Sequence, residues 1–303
     1  MNTVHTEQLK NDIAVIETAL RDYLPYEEDI MRQKKVIDAM RYSLEAGGKR
    51  IRPVLVLEFC RMCGGNTDAA LSPAAALEMI HTFSLIHDDL PAMDDDDLRR
   101  GKPTNHKVYG DAMAILAGDG LLHSAFEVMT KDMLLYFDKP DKLQHRAQAC
   151  YEIARRSGVR GMVAGQVADI ESENKQCSRE MLDYIHLNKT AQLITAAIMA
   201  GASLAGISFE ERKAMSTFGE ALGLAFQIVD DYLDVCGDEE VIGKPVGSDA
   251  KLNKSTYASI YGIEATIARA NELLDRAEEI IAPYYDQAEV FHAVIQQLRN
   301  QLH

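Results

Sequence analysis

The sequence predicts an all-α protein, and three observations predict it: apolar residues recur at helical spacing, strand signals are nearly absent, and prolines punctuate the periodic pattern. Val36, Ile37, Met40 and Leu44 fall on one helical face, as do Ile185, Ile194, Ala197 and Ile198 along a later segment. Val/Ile/Thr alternations are few, and no Asn-Gly pair marks a hairpin. The eight prolines, at 25, 53, 73, 91, 103, 140, 245 and 283, each lie where the pattern stops or starts. Pro140 to Pro245 is free of proline, which leaves room for three or four long helices. Helices are predicted over 6–22, 29–46, 54–63, 73–90, 107–136, 141–170, 178–204, 208–235, 254–281 and 285–301. No Pro/Ser/Gly-rich linker, repeat or composition shift divides the chain, so residues 1–303 are expected to form one domain. The candidate loops, 91–106 and 236–252, each follow an aspartate-rich stretch.

Composition narrows the function classes. The chain is 47% apolar, ample for a core, and 47 acidic against 32 basic residues give a net charge of −15. That balance argues against nucleic acid as the main partner, because phosphate backbones select basic surfaces. Met1 to Lys10 is polar and lacks the apolar centre of a targeting signal. Leu193 to Gly206 is interrupted by Thr195 and Ser203 and is shorter than the ~20 residues that span a bilayer. No membrane association is expected, and a cytoplasmic location is. Five scattered cysteines (60, 63, 150, 177 and 236) read as reduced thiols. Cys60 and Cys63 form a CxxC without the second pair that a four-cysteine zinc site needs; helix-end packing is the expected role.

Two acidic clusters carry the chemistry. In the first, Asp88, Asp89, Asp94, Asp95, Asp96 and Asp97 put six carboxylates in ten residues, and something must offset their repulsion. An acidic run alone is more often a solvated loop. This one follows the apolar Ile80, Phe83, Leu85 and Ile86, which aim it inward. Pro91 disfavours helix at Leu90 and loosens the turn, so that Asp94 can come round beside Asp88. No partner is evident for Asp95, Asp96 or Asp97. The second cluster, Asp230-Asp231-Tyr232-Leu233-Asp234, ends another apolar helix, and Asp230 and Asp234 share a face at i, i+4. Oxygen-only donors suit Mg²⁺ over softer metals, and neither run has an EF-hand's spacing.

Mg²⁺ held by carboxylates usually faces phosphate, and the sequence supplies matching cations. Gly47-Gly48-Lys49-Arg50-Ile51-Arg52-Pro53 offers three charges in four residues, and Arg99-Arg100-Gly101-Lys102 follows the first acidic run. Lys189 precedes Thr190 in mid-helix, and Lys244 lies in Gly243-Lys244-Pro245-Val246-Gly247. Singly, each is more often a surface charge. Together they look like two diphosphate pockets, one through metal and one through Lys/Arg alone. His81, seven residues before Asp88, lies on the aspartate face, as a packed core histidine or a ligand contact. Gln227, three before Asp230, reads as a polar wall residue.

Asp88-Asp89-x4-Asp94 with Arg99-Arg100-Gly101, Asp230-Asp231-x2-Asp234, and Gly47-Gly48-Lys49-Arg50-x-Arg52-Pro53 together resemble the trans-isoprenyl diphosphate synthases, and among them the bacterial farnesyl diphosphate synthases. The similarity runs from about residue 30 to 260; either acidic motif alone is weak. The resemblance implies a homodimer of all-α bundles, ten or more helices around a deep central cavity with facing aspartate motifs. Asp88, Asp89, Asp94 and Asp230 are then the catalytic metal ligands, for several Mg²⁺ ions with Mn²⁺ as a substitute. Asp231 and Asp234 support the second motif. Arg99, the catalytic Lys189, Thr190, Gln227 and Lys244 contact the allylic diphosphate, while Lys49, Arg52, His81 and Arg100 bind isopentenyl diphosphate. Relatives often close the site with basic residues at the extreme C-terminus, but this chain ends Arg299-Asn300-Gln301-Leu302-His303.

The activity so implied is condensation of isopentenyl diphosphate with dimethylallyl and geranyl diphosphate. The allylic C–O bond ionises, the homoallylic double bond attacks, and a proton leaves to the released diphosphate. Water must be excluded, and 236–252 is the candidate lid. Product length follows cavity depth: on a helix rising 1.5 Å per residue, Ser84 is about 6 Å and Phe83 about 7.5 Å below Asp88. Periodicity alone places Ser84 beneath Asp88. In relatives with this longer first motif an aromatic five residues before the first aspartate goes with a C15 product, and Phe83 holds that position. The alternatives are a geranyl or geranylgeranyl diphosphate synthase, or a catalytically silent partner subunit of a heteromeric synthase.

Overall fold

A computed structural model describes residues 3–24, 32–173, 175, 177–236 and 256–302. It bears out the all-α expectation: fourteen α-helices and a single two-stranded hairpin lie among the described residues. The chain divides into two compact units, Met1–Tyr151 with Ser203–Gly206, and Glu152–Ala202 with Ile207–His303.

The first unit holds α1 (Thr3–Tyr23), α2 (Lys34–Leu44), α3 (Ile51–Met62), α4 (Leu71–Asp88), α5 (Asn105–Tyr109), α6 (Asp111–Leu134) and most of α7 (Pro140–Ser157). Its centre is α4, which packs against α1, α2, α3 and α6. Apolar residues surround α4 on all sides, as a buried helix requires; Leu77, Met79 and Ile80 have no exposed surface. The helix is also long and apolar enough to cross a membrane, as is α6, although neither belongs to the shorter stretch the sequence singled out. Core burial accounts for α4; α6 keeps Ile115, Leu116 and Leu134 exposed. Two predicted starts were late because prolines sit inside first turns. Pro53 and Pro73 are each the third residue of their helix, where a missing N–H leaves no bond unmade.

The second unit holds α8 (Met162–Ser172), α9 (Arg179–Ile185), a π-helical turn (His186–Ala191), most of α10 (Gln192–Leu204), α11 (Phe209–Cys236), α12 (Tyr257–Tyr261), α13 (Ile263–Ile281) and α14 (Glu289–Asn300). Helix α11 packs on α13, α14 and the π-turn, around a T-shaped Phe218–Phe291 pair at 6.2 Å.

Four predicted helices are broken. The 107–136 helix divides at Gly110 and 254–281 at Gly262, where φ of 86° and 83° ends one helix and starts the next. The 141–170 helix divides after Ser157; a side chain on Gly161 would lie 2.0 Å from the carbonyl oxygen of Arg156. The 178–204 helix widens into the π-turn, so Lys189 is not on regular helix.

Candidate active site

In the first unit α4 delivers the acidic run. The helix stops at Asp88, and Met93 N–H and Asp95 N–H both return to the carbonyl of Leu90. Asp94 N–H then reaches the carbonyl of Asp88 at 2.9 Å, which is the return that Pro91 predicts. The hairpin of β1 (Leu98–Arg99) and β2 (Lys102–Pro103) turns through Arg100 and Gly101 at φ 55° and 75°. Two left-handed central residues suit a tight hairpin, here without the Asn-Gly signal.

The loop between them, returning at Asp94, brings Arg99 back onto Asp89, with Nε at 2.9 Å and Nη2 at 2.5 Å from one carboxylate oxygen. Asp89 is buried; desolvation raises its pKa above the ordinary carboxylate value, and Arg99 opposes the shift. The remaining aspartates do have partners. Asp96 lies 3.2 Å from Arg99, Asp97 2.7 Å from Lys107, and Asp95 3.8 Å from both Lys107 and His106. Lys107 and His106 lie beyond the Arg100–Gly101 turn, which does not read as one, so no local pattern pairs them with Asp95 and Asp97; Arg99, three residues past Asp96, is the near partner.

Beside the acidic turn is a cavity of about 420 Å³ lined by Lys49, Arg52, His81 and Arg100, the four residues expected to share a diphosphate. Arg52 Nη1 donates to His81 Nε2 at 3.1 Å. Burial, then the charges of Arg52 and Arg100, hold His81 well below its ordinary pKa, so the ring is neutral and that nitrogen can accept. Arg52 Nε is buried with no protein acceptor. Arg100 donates to the carbonyl of Gly47, and its guanidinium lies where a side chain on Gly48 would stand, 2.8 Å away. Arg50 also lines the cavity but is committed elsewhere. Its fully buried guanidinium donates at 2.6 Å to Glu17, Glu78 and the carbonyl of Leu44. Only two of the three charges in that basic run are therefore available to a ligand.

On α4 below Asp88, the Phe83 ring packs edge-on to His87 at 5.6 Å, and His87 Nε2 donates to the carbonyl of Ile115. Ser84 spends its hydroxyl on the carbonyl of His81 at 2.8 Å.

In the second unit a cavity of about 150 Å³ is lined by Lys189, Thr190, Gln227, Asp231, His186 and Asp169. Three of these were expected to touch one substrate, and the structure brings them together. Thr190 Oγ1 donates to Gln227 Oε1 and Gln227 Nε2 to Asp231 Oδ1, each at 2.8 Å. The other oxygen of Asp231 accepts the N–H of Tyr257 at 2.7 Å and lies 3.3 Å from His186 Nε2. Burial pushes Asp231 up to about 7 and His186 down to about 4. Asp231 is thus a structural junction, with Asp234 also buried and Asp230 partly open. Sequence reasoning missed Asp169 and His186. Asp169 pairs with Lys189 from twenty residues away, which no local pattern displays.

Lys244 and all but the first residue of the 236–252 lid lie outside the described residues. Arg299 is engaged on α13 by Asp275 at 2.5 Å and Glu278 at 3.2 Å.

In each unit the acidic cluster fits Mg²⁺. Asp88, Asp89 and Asp94 in the first and Asp230 in the second offer hard oxygen alone, without the nitrogen and sulfur donors that favour zinc. Among the described residues no three acidic, histidine or cysteine side chains close into a cage. An ion completed by one or two carboxylates and ligand phosphate needs no such cage.

A sequence profile described as polyprenyl synthetase matches residues 33–297. The chain is 48% identical over 264 residues to a farnesyl diphosphate synthase of Geobacillus stearothermophilus, covering 87% of this chain and 86% of that one. It is 47% identical over 255 residues to a geranylgeranyl diphosphate synthase of Cyanophora paradoxa, covering 83% and 82%. Among solved structures it is similar to a geranyltransferase from Helicobacter pylori complexed with magnesium and isoprenyl diphosphate, at 30% identity and a TM-score of 0.78 over 100% of this chain and 97% of that one.

Proposed function

The chain belongs to the polyprenyl synthetase family, and from that premise we propose that it is a short-chain prenyltransferase making (2E,6E)-farnesyl diphosphate from isopentenyl, dimethylallyl and geranyl diphosphates. The observation that carries the reading is the convergence of Lys49, Arg52, His81 and Arg100 on one cavity next to the turn that joins Asp94 to Asp88. A concentrated positive site beside carboxylates is what two diphosphates require, one held by cations directly and one through metal.

In this reading Lys49, Arg52, His81 and Arg100 bind isopentenyl diphosphate. Asp88, Asp89 and Asp94 would hold Mg²⁺ against the allylic diphosphate, Asp230 would have the same role in the second cluster, and Asp89 also fixes Arg99. Lys189, Thr190, Gln227 and Lys244 contact the allylic substrate. Bound Mg²⁺ supplies Lewis-acid stabilisation of charge on the leaving diphosphate. Lys189 and Arg99 add positive charge where that negative charge develops, so the allylic C–O bond breaks with its electron pair left on oxygen. The homoallylic double bond then forms the new C–C bond, and the adjacent proton leaves to the released diphosphate. We further propose one polyprenyl synthase domain over residues 1–303, a cytoplasmic location, and a homodimer. The exposed apolar Ile115, Leu116 and Leu134 on α6 support the last.

A geranylgeranyl product is the second reading, favoured by the nearly equal identity to the Cyanophora paradoxa enzyme. One incubation separates them. The chain is given dimethylallyl and isopentenyl diphosphates with Mg²⁺, and the dephosphorylated alcohols are identified. Farnesol is expected; geranylgeraniol selects the second reading, and no alcohol overturns both.

A further inference from the structure

We propose that Asp169 is a positioning residue for Lys189, acting with Gly165 as a two-point clamp from α8 on the π-turn. The inference rests on the substrate role proposed above for Lys189. Lysine is a point charge on a flexible stem and needs external constraint to act at a fixed place. The π-turn that carries it is itself irregular.

Helix α8 supplies the constraint at two positions four residues apart, which share a helical face. At Gly165 the two backbones meet: an added side chain would stand 2.1 Å from Lys189 N and 2.6 Å from its Cα. One turn on, Asp169 Oδ2 takes the Lys189 ammonium at 2.6 Å. The opposite side is closed by α11, where a side chain on Gly223 would lie 2.7 Å from Ala191 Cα. The π-turn is thus pinned between two glycines, and its cation is aimed by one carboxylate. Both partners line the cavity with Thr190 and Gln227 and are only partly exposed, at 26% and 19%. An ammonium has three donors, so one bond to Asp169 leaves two for phosphate oxygens.

The test uses the full chain and the variants D169N, D169E, K189A and D169N/K189A, with thermal melts to establish folding. D169N is expected to lower kcat/KM for dimethylallyl diphosphate roughly a hundredfold, the scale of a misplaced reacting contact. KM for isopentenyl diphosphate should stay within about twofold, and D169E should recover part of the loss. The double variant should be no worse than K189A, because Asp169 works only through Lys189. Additive losses, or full activity in D169N, overturn the proposal. A second readout needs no turnover: acetylation of Lys189 in the substrate-free protein, followed by mass spectrometry. Losing the ion pair should free the amine from its partner and raise its labelling severalfold over other lysines. Equal labelling in the chain and in D169N refutes the clamp, and equal labelling in D169E and D169N does so where D169N fails to fold. Absence of prenyl transfer in the unmodified chain refutes the activity alone.

Discussion

Asp89 and Arg99 face each other across the acidic loop that separates them, through two guanidinium nitrogens on one carboxylate oxygen, at 2.9 and 2.5 Å. Adjacent aspartates are therefore placed differently: the Asp88 carbonyl takes the returning Asp94 N–H, while the Asp89 carboxylate holds Arg99. In the proposed reading Asp88 faces the metal and Arg99 the allylic diphosphate.

Exchanging each for alanine should separate the two. Asp88→Ala is expected to abolish turnover with the far-UV circular dichroism and urea midpoint unchanged. Asp89→Ala strands a part-buried guanidinium and should cost about 1–3 kcal/mol in urea unfolding, discounted for the one-third exposure of Arg99. Retained activity in Asp88→Ala, with the fold intact, removes the metal assignment.

Lys49, Arg50 and Arg52 are near neighbours in sequence but not in role. Arg50→Ala leaves Glu17 and Glu78 facing a buried gap and should cost about 3–5 kcal/mol of stability. Lys49→Ala, on an exposed side chain, should leave the melt unchanged and raise KM for isopentenyl diphosphate. A stable Arg50→Ala protein would show that the buried network is not a strut.

How much of this was legible in the sequence follows from the range of each interaction. The helices, both aspartate clusters and the turn at Pro91 depend on neighbours within one or two helical turns, and the sequence displays them. The π-turn at His186–Ala191 looks like helix, because its apolar flanks keep helical period while the backbone widens locally. Arg50 reads like Lys49, since the partners that distinguish it, Glu17 and Glu78, are distant in sequence. Lys189 betrays nothing of Asp169, nor Asp97 of Lys107, because those pairs exist only once the chain has turned.

The cysteines give a pH test. Burial raises the Cys60 thiol to about 11, while Cys236 is exposed at the end of α11. A folded-state value above the ordinary 9.0 favours the native protein fully below pH 9, and that contribution is lost as pH rises from about 9 through 11. At pH 8 a thiol reagent should label Cys236 rapidly and Cys60 only after unfolding, counted by mass spectrometry. A zinc chelator should not shift the melt. Fast native labelling of Cys60, or a chelator-sensitive melt, would contradict the reading of the CxxC as helix-end packing.

Phe83 decides how far a product can grow if α4 lines the chain-length cavity. It lies five residues before Asp88, about 7.5 Å down the helix axis, and its ring is braced edge-on by His87, which the carbonyl of Ile115 holds in turn. Ser84 is less suited to the task, being small and with its hydroxyl bonded to the carbonyl of His81. A braced aromatic resists displacement by a growing isoprenoid tail, since moving it also breaks the His87 contact. Phe83→Ala should therefore shift the main product from C15 to C20 or longer, seen by chromatography of the dephosphorylated alcohols. Ser84→Ala should leave C15 dominant, and Ser84→Phe should shorten the product toward C10 by raising the floor. If Phe83→Ala still stops at C15 with normal turnover, the barrier lies on another helix, and the aromatic is there for packing alone.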